Sequence, residues 1–402
     1  MMERLDAPGP MLRRGPRPLL LHLTLAALKS RASAGGLPNS KADSRTWSEI
    51  EATIHAALRN AQPGEPPAVD GDLIAGIAAY RRHPWSRDLP DPPSVWAEGG
   101  SRILDYRLPD GDGPAVLFVP SLVNRAYVLD LMPDRSMLRF LAAQGVRPLL
   151  LDWGWPGAVE RGFSLTDYVA GRLERAMAAT AELSGGPIVL AGYCMGGNLA
   201  VAAAERRPEL VGALALLATP WDFHAPDPQR ALSTAACLPL LEPLMGLSGT
   251  VPIDALQTLF SLLDPFGVGD KYRTFAHLAP DSPRARMFVA LEDWLNDGVP
   301  LVAGVARDCL SKWYGDNAPA RGTWHIAGLP VNPSALRLPT FVAAPGRDRI
   351  VPRESARVLA DLVPNAVLHE PAAGHVGMVA GTAAERALWQ PLLAWLRMDK
   401  RG

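Results

Sequence analysis

The chain has 402 residues, 48% hydrophobic and 20% charged, which supplies one large or two modest cores and excludes disorder over most of its length. With 40 Lys and Arg against 41 Asp and Glu, the net charge of −1 provides no global field for holding nucleic acid or an anionic surface. Cys194, Cys237 and Cys309 lie far apart without a C-x-x-C pair, so neither a disulfide framework nor a zinc site is expected, and a reducing, cytoplasmic setting fits.

No apolar run reaches the roughly 18 residues that span a bilayer. The nearest, Leu19 to Leu28, is interrupted by His22 and Thr24 and reads as a short amphipathic helix after Pro18. Residues 1–95 are rich in Pro, Gly, Ala and Arg and read as a partly helical N-terminal extension, with helices expected over Trp47 to Asn60 and Leu73 to Arg82. From Arg102 the pattern changes to short apolar runs separated by helical segments, the mark of a parallel sheet with crossover helices. Strands are expected at Val116–Val119, Pro148–Leu151, Ile188–Ala191 and Leu214–Ala218, with helices at Ser136–Gln144, Thr166–Leu183 and Asn198–Glu205 between them. Residues 221–339 lapse into Pro-punctuated, helix-like sequence and read as an inserted cap. A strand at Thr340–Ala344, a helix at Ser355–Leu362, a short strand at Ala366–Leu368 and a closing helix at Ala383–Leu396 restore the alternation. The fold class is thus α/β, a mostly parallel central sheet built from 96–220 and 340–402 with a helical cap inserted.

Gly192-Tyr193-Cys194-Met195-Gly196-Gly197 lies between an expected strand and helix and matches G-x-S-x-G with cysteine in place of serine. The flanking glycines suit a strained strand-to-helix turn that thrusts Cys194 out of the sheet at a helix N-terminus, where N–H groups and the macrodipole favour a negatively charged sulfur. In this fold the remaining partners follow in the order nucleophile, acid, histidine. Asp348, in Pro345-Gly346-Arg347-Asp348, falls at the end of the Thr340 strand, and His375, in Gly374-His375-Val376-Gly377, comes after it. His369 is the rival base, but it sits at a strand end without flanking glycines. Of the two donors an oxyanion requires, the N–H of Met195 is expected to be one and an N–H of Pro120-Ser121-Leu122-Val123-Asn124 the other, with Leu122 preferred to Ser121. Asn124, Trp221 and Asp222, at strand ends, are the candidates for contact with substrate; for Trp221 packing, and for Asp222 structural hydrogen bonding, stay open beside that role. Cys237 and Cys309 read as buried, inert thiols.

These residues carry a family resemblance. Phe118-Val119-Pro120-Ser121-Leu122-Val123-Asn124, Asp152-Trp153-Gly154-Trp155-Pro156, the cysteine elbow, Trp221-Asp222-Phe223 and Gly374-His375-Val376-Gly377-Met378 run in order from about Val116 to Leu396 and resemble polyhydroxyalkanoate synthases of the α/β-hydrolase superfamily. Length and the Gly-His-Val-Gly-Met ending resemble the shorter synthases that work with a second subunit. The resemblance implies polymerisation of (R)-3-hydroxyacyl-CoA with release of CoA, Cys194 as nucleophile, His375 as general base and Asp348 as its supporting carboxylate. It implies no metal and no cofactor beyond the CoA thioester substrate, and it leaves a homodimer, a second synthase subunit and the polymer granule surface open as partners. The same triad would also serve a hydrolase, either a thioesterase or an intracellular polyester depolymerase, if water reached the acyl-enzyme. Glu292-Asp293-Trp294 resembles a structural Glu-x-Trp segment of the family. The chain departs from the family pattern at Arg349, where His usually follows the catalytic Asp.

Overall fold

The computed structural model describes residues 13–34, 70–109, 111 and 113–398. The expected helix over Trp47 to Asn60 lies outside the described residues. The chain divides into two compact units, each made of two stretches: Met1–Arg87 with Gln257–Asp297, and Asp88–Leu256 with Gly298–Gly402.

The first unit is helical. Leu19–Ala34 forms where a helix is expected, but its apolar residues do not gather on one stripe: Leu20 and Leu23 are exposed while His22 and Ala26 are buried. Gly71–Arg82 begins at Asp70, whose carboxylate accepts the Leu73 N–H, and it ends in Arg81 and Arg82. It packs on Gly267–Ala276 and Pro283–Asn296 through Leu73, Ile77, Tyr80, Tyr272, Phe275, Ala285 and Val289. Gly76 permits the crossing, because a Cβ there would run into the Tyr272 carbonyl. The Glu292-Asp293-Trp294 segment is part of this packing. Glu292 pairs with Lys271, Asp293 accepts from Tyr80 (2.9 Å) and pairs with Arg13 (2.6 Å), and Trp294 is buried.

The second unit is built on an eight-stranded sheet, numbered here β1 (Ser94–Glu98), β2 (Ser101–Asp105), β3 (Ala115–Val119), β4 (Arg147–Asp152), β5 (Ile188–Tyr193), β6 (Val211–Leu217), β7 (Thr340–Ala343) and β8 (Val367–His369). Its order is β1-β2-β4-β3-β5-β6-β7-β8. β1, β2 and β4 pair antiparallel, and β4, β3, β5, β6, β7 and β8 are parallel. The six parallel strands fall where the apolar runs place them, and β5, at the centre, is buried along its whole length. Helices begin where the sequence offers caps: the Ser136 hydroxyl accepts the Arg139 N–H, and Ser164 and Asp167 bond each other's N–H before Asp167–Ser184, whose first turns are widened to π geometry. The helix after β5 runs Met195–Arg206, three residues earlier than the apolar pattern suggests, because Gly196 and Gly197 disguise its first turn.

Within that helix, Glu205 is largely buried. Its Oε2 accepts the Asn332 N–H at 2.8 Å, its Oε1 has no hydrogen-bond partner among the described residues, and burial pushes its carboxyl up to about 7. A raised carboxylate gives stability that is full below its unfolded value of 4.5 and is lost as pH rises through about 7. Glu205→Gln is therefore expected to stabilise the protein at pH 8 by about 1 kcal/mol, allowing for partial solvent contact, and to have no such benefit at pH 4.5. Denaturant unfolding at both pH values checks this; an equal change at the two would remove the titration from the explanation.

Candidate active site

The turn after β5 sets the geometry. Cys194 has φ 55° and ψ −132°, a conformation that non-glycine residues adopt only when the surroundings hold them there. Its N–H donates to the Leu217 carbonyl of β6 (2.8 Å), and its carbonyl accepts the Gly197 N–H (2.9 Å). The glycines of the motif are needed for close approach. A Cβ at Gly192 would meet Gly197, one at Gly196 would meet the carbonyls of Val119 and Pro120, and one at Gly197 would meet the Thr219 side chain. The start of the helix is thereby pressed against the end of β3, which pairs with β5 up to Val119 and Gly192.

Asp348 lies on the loop after β7 and His375 opens the helix after β8, at the same carboxyl edge of the sheet. The two loops are stitched by backbone bonds, Gly346 N–H to Pro371 and Arg347 N–H to Ala373. One Asp348 oxygen accepts the N–H groups of Ile350 (2.8 Å) and Val351 (2.9 Å), and the other lies 2.6 Å from His375 Nδ1. Both side chains are buried, Asp348 completely. His375 also hydrogen-bonds Cys194. Burial alone would favour the neutral ring, but the negative charges of Asp348 and Cys194 and hydrogen bonds to both push His375 up to about 10. The arrangement can therefore hold an imidazolium between a sulfur and a carboxylate at neutral pH.

That shift has a consequence for stability. A base raised from 6.5 to about 10 gives stability that is full below pH 6.5 and lost as pH rises through 10. The thermal midpoint is expected to fall between those values, and to fall less in Asp348→Asn, which removes the carboxylate responsible. Equal slopes in the two proteins would contradict the assignment.

The sequence-predicted residues separate into three groups. Cys194, His375 and Asp348 come together. Met195 opens the helix directly after Cys194, and Leu122 and Asn124 lie on the loop after β3, where Ser121 Oγ caps the Val123 N–H, Asn124 has φ 67° and the buried Asn124 Oδ1 has no hydrogen-bond partner among the described residues. Trp221 is fully buried against Trp324, its backbone N–H donates to the Ser355 hydroxyl (3.3 Å), and the Asp222 carboxylate accepts from His224 N–H (3.0 Å) and Asn317 Nδ2 (2.8 Å). His369 faces away from the acid: its Nε2 is 2.6 Å from the Ala387 carbonyl and its ring stacks on Phe341. Cys309 is buried, which pushes its thiol up, and Cys237 donates to the Ser233 carbonyl.

Sequence reasoning missed two tyrosines. Tyr193 donates its hydroxyl to the His375 carbonyl (3.3 Å) and sets its ring 5.1 Å from the imidazole, so it props the histidine from below. Its place beside Cys194 in the elbow was the available signal. Tyr314, on Asp308–Gly315, is raised by burial and then by the charges of Cys309 and Cys194, which brings it into the electrostatic reach of the sulfur; no motif marks it.

A family profile described as "alpha/beta hydrolase fold" matches residues 114–236. The poly(3-hydroxyalkanoate) polymerase subunit PhaC of Haloferax mediterranei is 31% identical over 75% of this chain and 62% of its own length. The corresponding protein of Allochromatium vinosum is 28% identical over 75% of this chain and 87% of its own. The chain is thus similar to poly(3-hydroxyalkanoate) polymerase subunits over about three quarters of its length, and to the α/β-hydrolase fold over residues 114–236. It spans less than two thirds of the Haloferax relative. Among solved structures, a thermophilic esterase from Thermogutta terrifontis is similar with a TM-score of 0.41 and 19% identity, covering 77% of this chain and 98% of the esterase. Arg349, directly after Asp348, offers its backbone carbonyl to the Arg230 guanidinium at 3.4 Å.

Proposed function

We propose that the chain is an acyltransferase that polymerises (R)-3-hydroxyacyl-CoA into polyhydroxyalkanoate with release of CoA, through an acyl group carried on Cys194. The observation that carries this reading is the Cys194–His375–Asp348 arrangement, with cysteine in an elbow that usually holds serine, in a chain whose relatives are named polymerase subunits. Cys194 Sγ attacks the thioester carbonyl, with Met195 and Leu122 N–H groups as the donors to the oxyanion. When the tetrahedral intermediate collapses, the C–S bond to CoA breaks and His375 gives its proton to the departing sulfur. Sulfur replaces sulfur, so this exchange is nearly balanced. The now neutral His375 takes the proton of a 3-hydroxyl group, whose oxygen attacks the acyl-Cys194 carbonyl; an ester forms, the C–S bond to Cys194 breaks, and the sulfur and imidazolium return to their starting state. Asp348 holds the ring and compensates its charge throughout. Asn124, Trp221 and Asp222 remain candidates for shaping the acyl site. The word "subunit" in the relatives' names supports a second synthase subunit, or a second copy, as partner, and the reading places the protein in the cytoplasm at the surface of its product.

Purified protein incubated with (R)-3-hydroxybutyryl-CoA tests the proposal. Free thiol together with high-mass polyester is expected. Thiol with only free 3-hydroxybutyrate would replace the reading by that of a thioester or polyester hydrolase, and no thiol even with a candidate second subunit present would overturn it.

A further inference from the structure

Two loops at the carboxyl edge of the sheet bring an indole and a guanidinium together. The loop after β3 carries Leu122 and, three residues further on, Arg125; the loop after β4 runs Trp153-Gly154-Trp155-Pro156. The buried Trp153 stitches the two, its indole N–H donating to the Pro120 carbonyl at 3.0 Å. Gly154 then turns the chain outward. Its φ is 68°, the Asp152 carboxylate accepts its N–H (3.0 Å), and a Cβ there would run into the Gly100 carbonyl. The turn leaves the Trp155 side of the loop in water, 48% exposed, and the Arg125 guanidinium lies over its ring, 6.0 Å from the centroid.

We propose that Trp155 and Arg125 form the subsite for the nucleotide end of coenzyme A, with adenine stacked on the exposed part of the indole and the guanidinium paired with the phosphates; the inference rests on the function proposed above. Three observations favour that ligand. The pair combines the two groups that recognise a nucleotide without regard to sequence, an aromatic face for the base and an arginine fork for phosphate. A neutral hydroxyacyl chain has no use for either. The second observation is placement. A thioester whose carbonyl oxygen lies between the Met195 and Leu122 N–H groups directs its coenzyme A arm away from the acyl chain, and the loop that supplies Leu122 itself carries Arg125. The third is charge. The chain's net charge of −1 gives no general attraction for a polyanion, so the phosphates need a local cation. The carboxylates beside the indole do not oppose them, because Asp152 is paired with Arg102 (3.2 Å) and Glu160 with Arg172 (2.9 Å).

Calorimetric titration of the purified chain with coenzyme A, and with pantetheine, which has the thiol arm and no nucleotide, tests this. Wild type is expected to bind coenzyme A about a hundredfold more tightly than pantetheine. Trp155→Leu, which keeps an apolar side chain and loses the aromatic face, and Arg125→Gln should each lower that preference about tenfold. Trp155→Phe should retain most of it, and Val159→Ser, at an exposed apolar position of the same loop, should behave as wild type. Unchanged melting temperatures establish that the variants are folded. An equal preference in wild type and Trp155→Leu overturns the proposal, and so does a loss of affinity that is the same for pantetheine as for coenzyme A, which assigns the indole to the thiol arm. Titration needs no turnover. A chain that shows the expected losses and makes no polyester fails the functional reading and keeps the subsite, whereas one that makes polyester with the Trp155→Leu titration unchanged keeps that reading and loses the subsite.

Discussion

Cys194→Ala is expected to lower CoA release from hydroxyacyl-CoA by on the order of 10⁴-fold or more, with the fold retained. The backbone at 194 already holds a non-glycine residue at φ 55°, so alanine meets no new backbone strain there, and what is lost is the sulfur alone. Without it no acyl group can be carried between donor and acceptor, and only binding and oxyanion stabilisation remain to accelerate attack by water. Intact-protein mass spectrometry after mixing with substrate reads the same event directly: wild type gains the mass of the acyl chain, and the variant gains none. A variant that is acylated, or that releases CoA at the wild-type rate, removes Cys194 from the chemistry. Cys194→Ser is the finer comparison, since oxygen displacing sulfur makes the first exchange unbalanced and the acyl-enzyme harder to leave by transfer to another hydroxyl.

His375→Gln is expected to act twice. It removes the ring that hydrogen-bonds Cys194 and is held by Asp348, so thiol release falls by about 10³-fold or more, with the burst phase lost along with the steady state. It also strands the Asp348 carboxylate, whose side chain is completely buried and retains just the Ile350 and Val351 N–H groups as partners; breaking such a pair costs about 3–5 kcal/mol. The double variant His375→Gln/Asp348→Asn should recover much of that stability and none of the activity. Burst kinetics and denaturant unfolding of the three proteins separate the two effects, and a single variant as stable as wild type would mean that the carboxylate is not held by the ring.

The parallel sheet was legible because its strands are buried on both faces and appear as unbroken apolar runs such as Leu149-Leu150-Leu151 and Val189-Leu190-Ala191. The antiparallel β1 and β2 were not. Ser94–Glu98 is a largely exposed edge strand, and Ser101–Asp105 has only Ile103 and Leu104 as an apolar pair, so neither rises above a Pro-rich background. At the candidate site, motif and chain order were sufficient to single out Cys194, Asp348 and His375, which the structure brings together. The props were hidden for a different reason: Tyr193 reaches His375 across 182 residues of sequence, and Asn317 reaches Asp222 across 95, and neither pairing leaves a local pattern. Asp222 illustrates the limit. A carboxylate at a strand end has the same sequence signature whether or not it also accepts, as Asp222 does, from an asparagine and a backbone N–H.

The interleaving of the two units along the chain has a bearing on its synthesis. Tyr80, at the heart of the helical unit, finds its partner Asp293 only 213 residues later. At about 5–20 residues per second the ribosome needs roughly 10–40 s to deliver it. During that interval the sheet-bearing unit is itself incomplete, since β7 and β8 follow Asp297. Each unit thus waits on sequence that lies beyond a piece of the other, and the apolar faces of Gly71–Arg82 and β6 stand open in the nascent chain. A chaperone that shields such faces should raise the soluble yield, and a circular permutant that makes the helical unit contiguous should depend on it less.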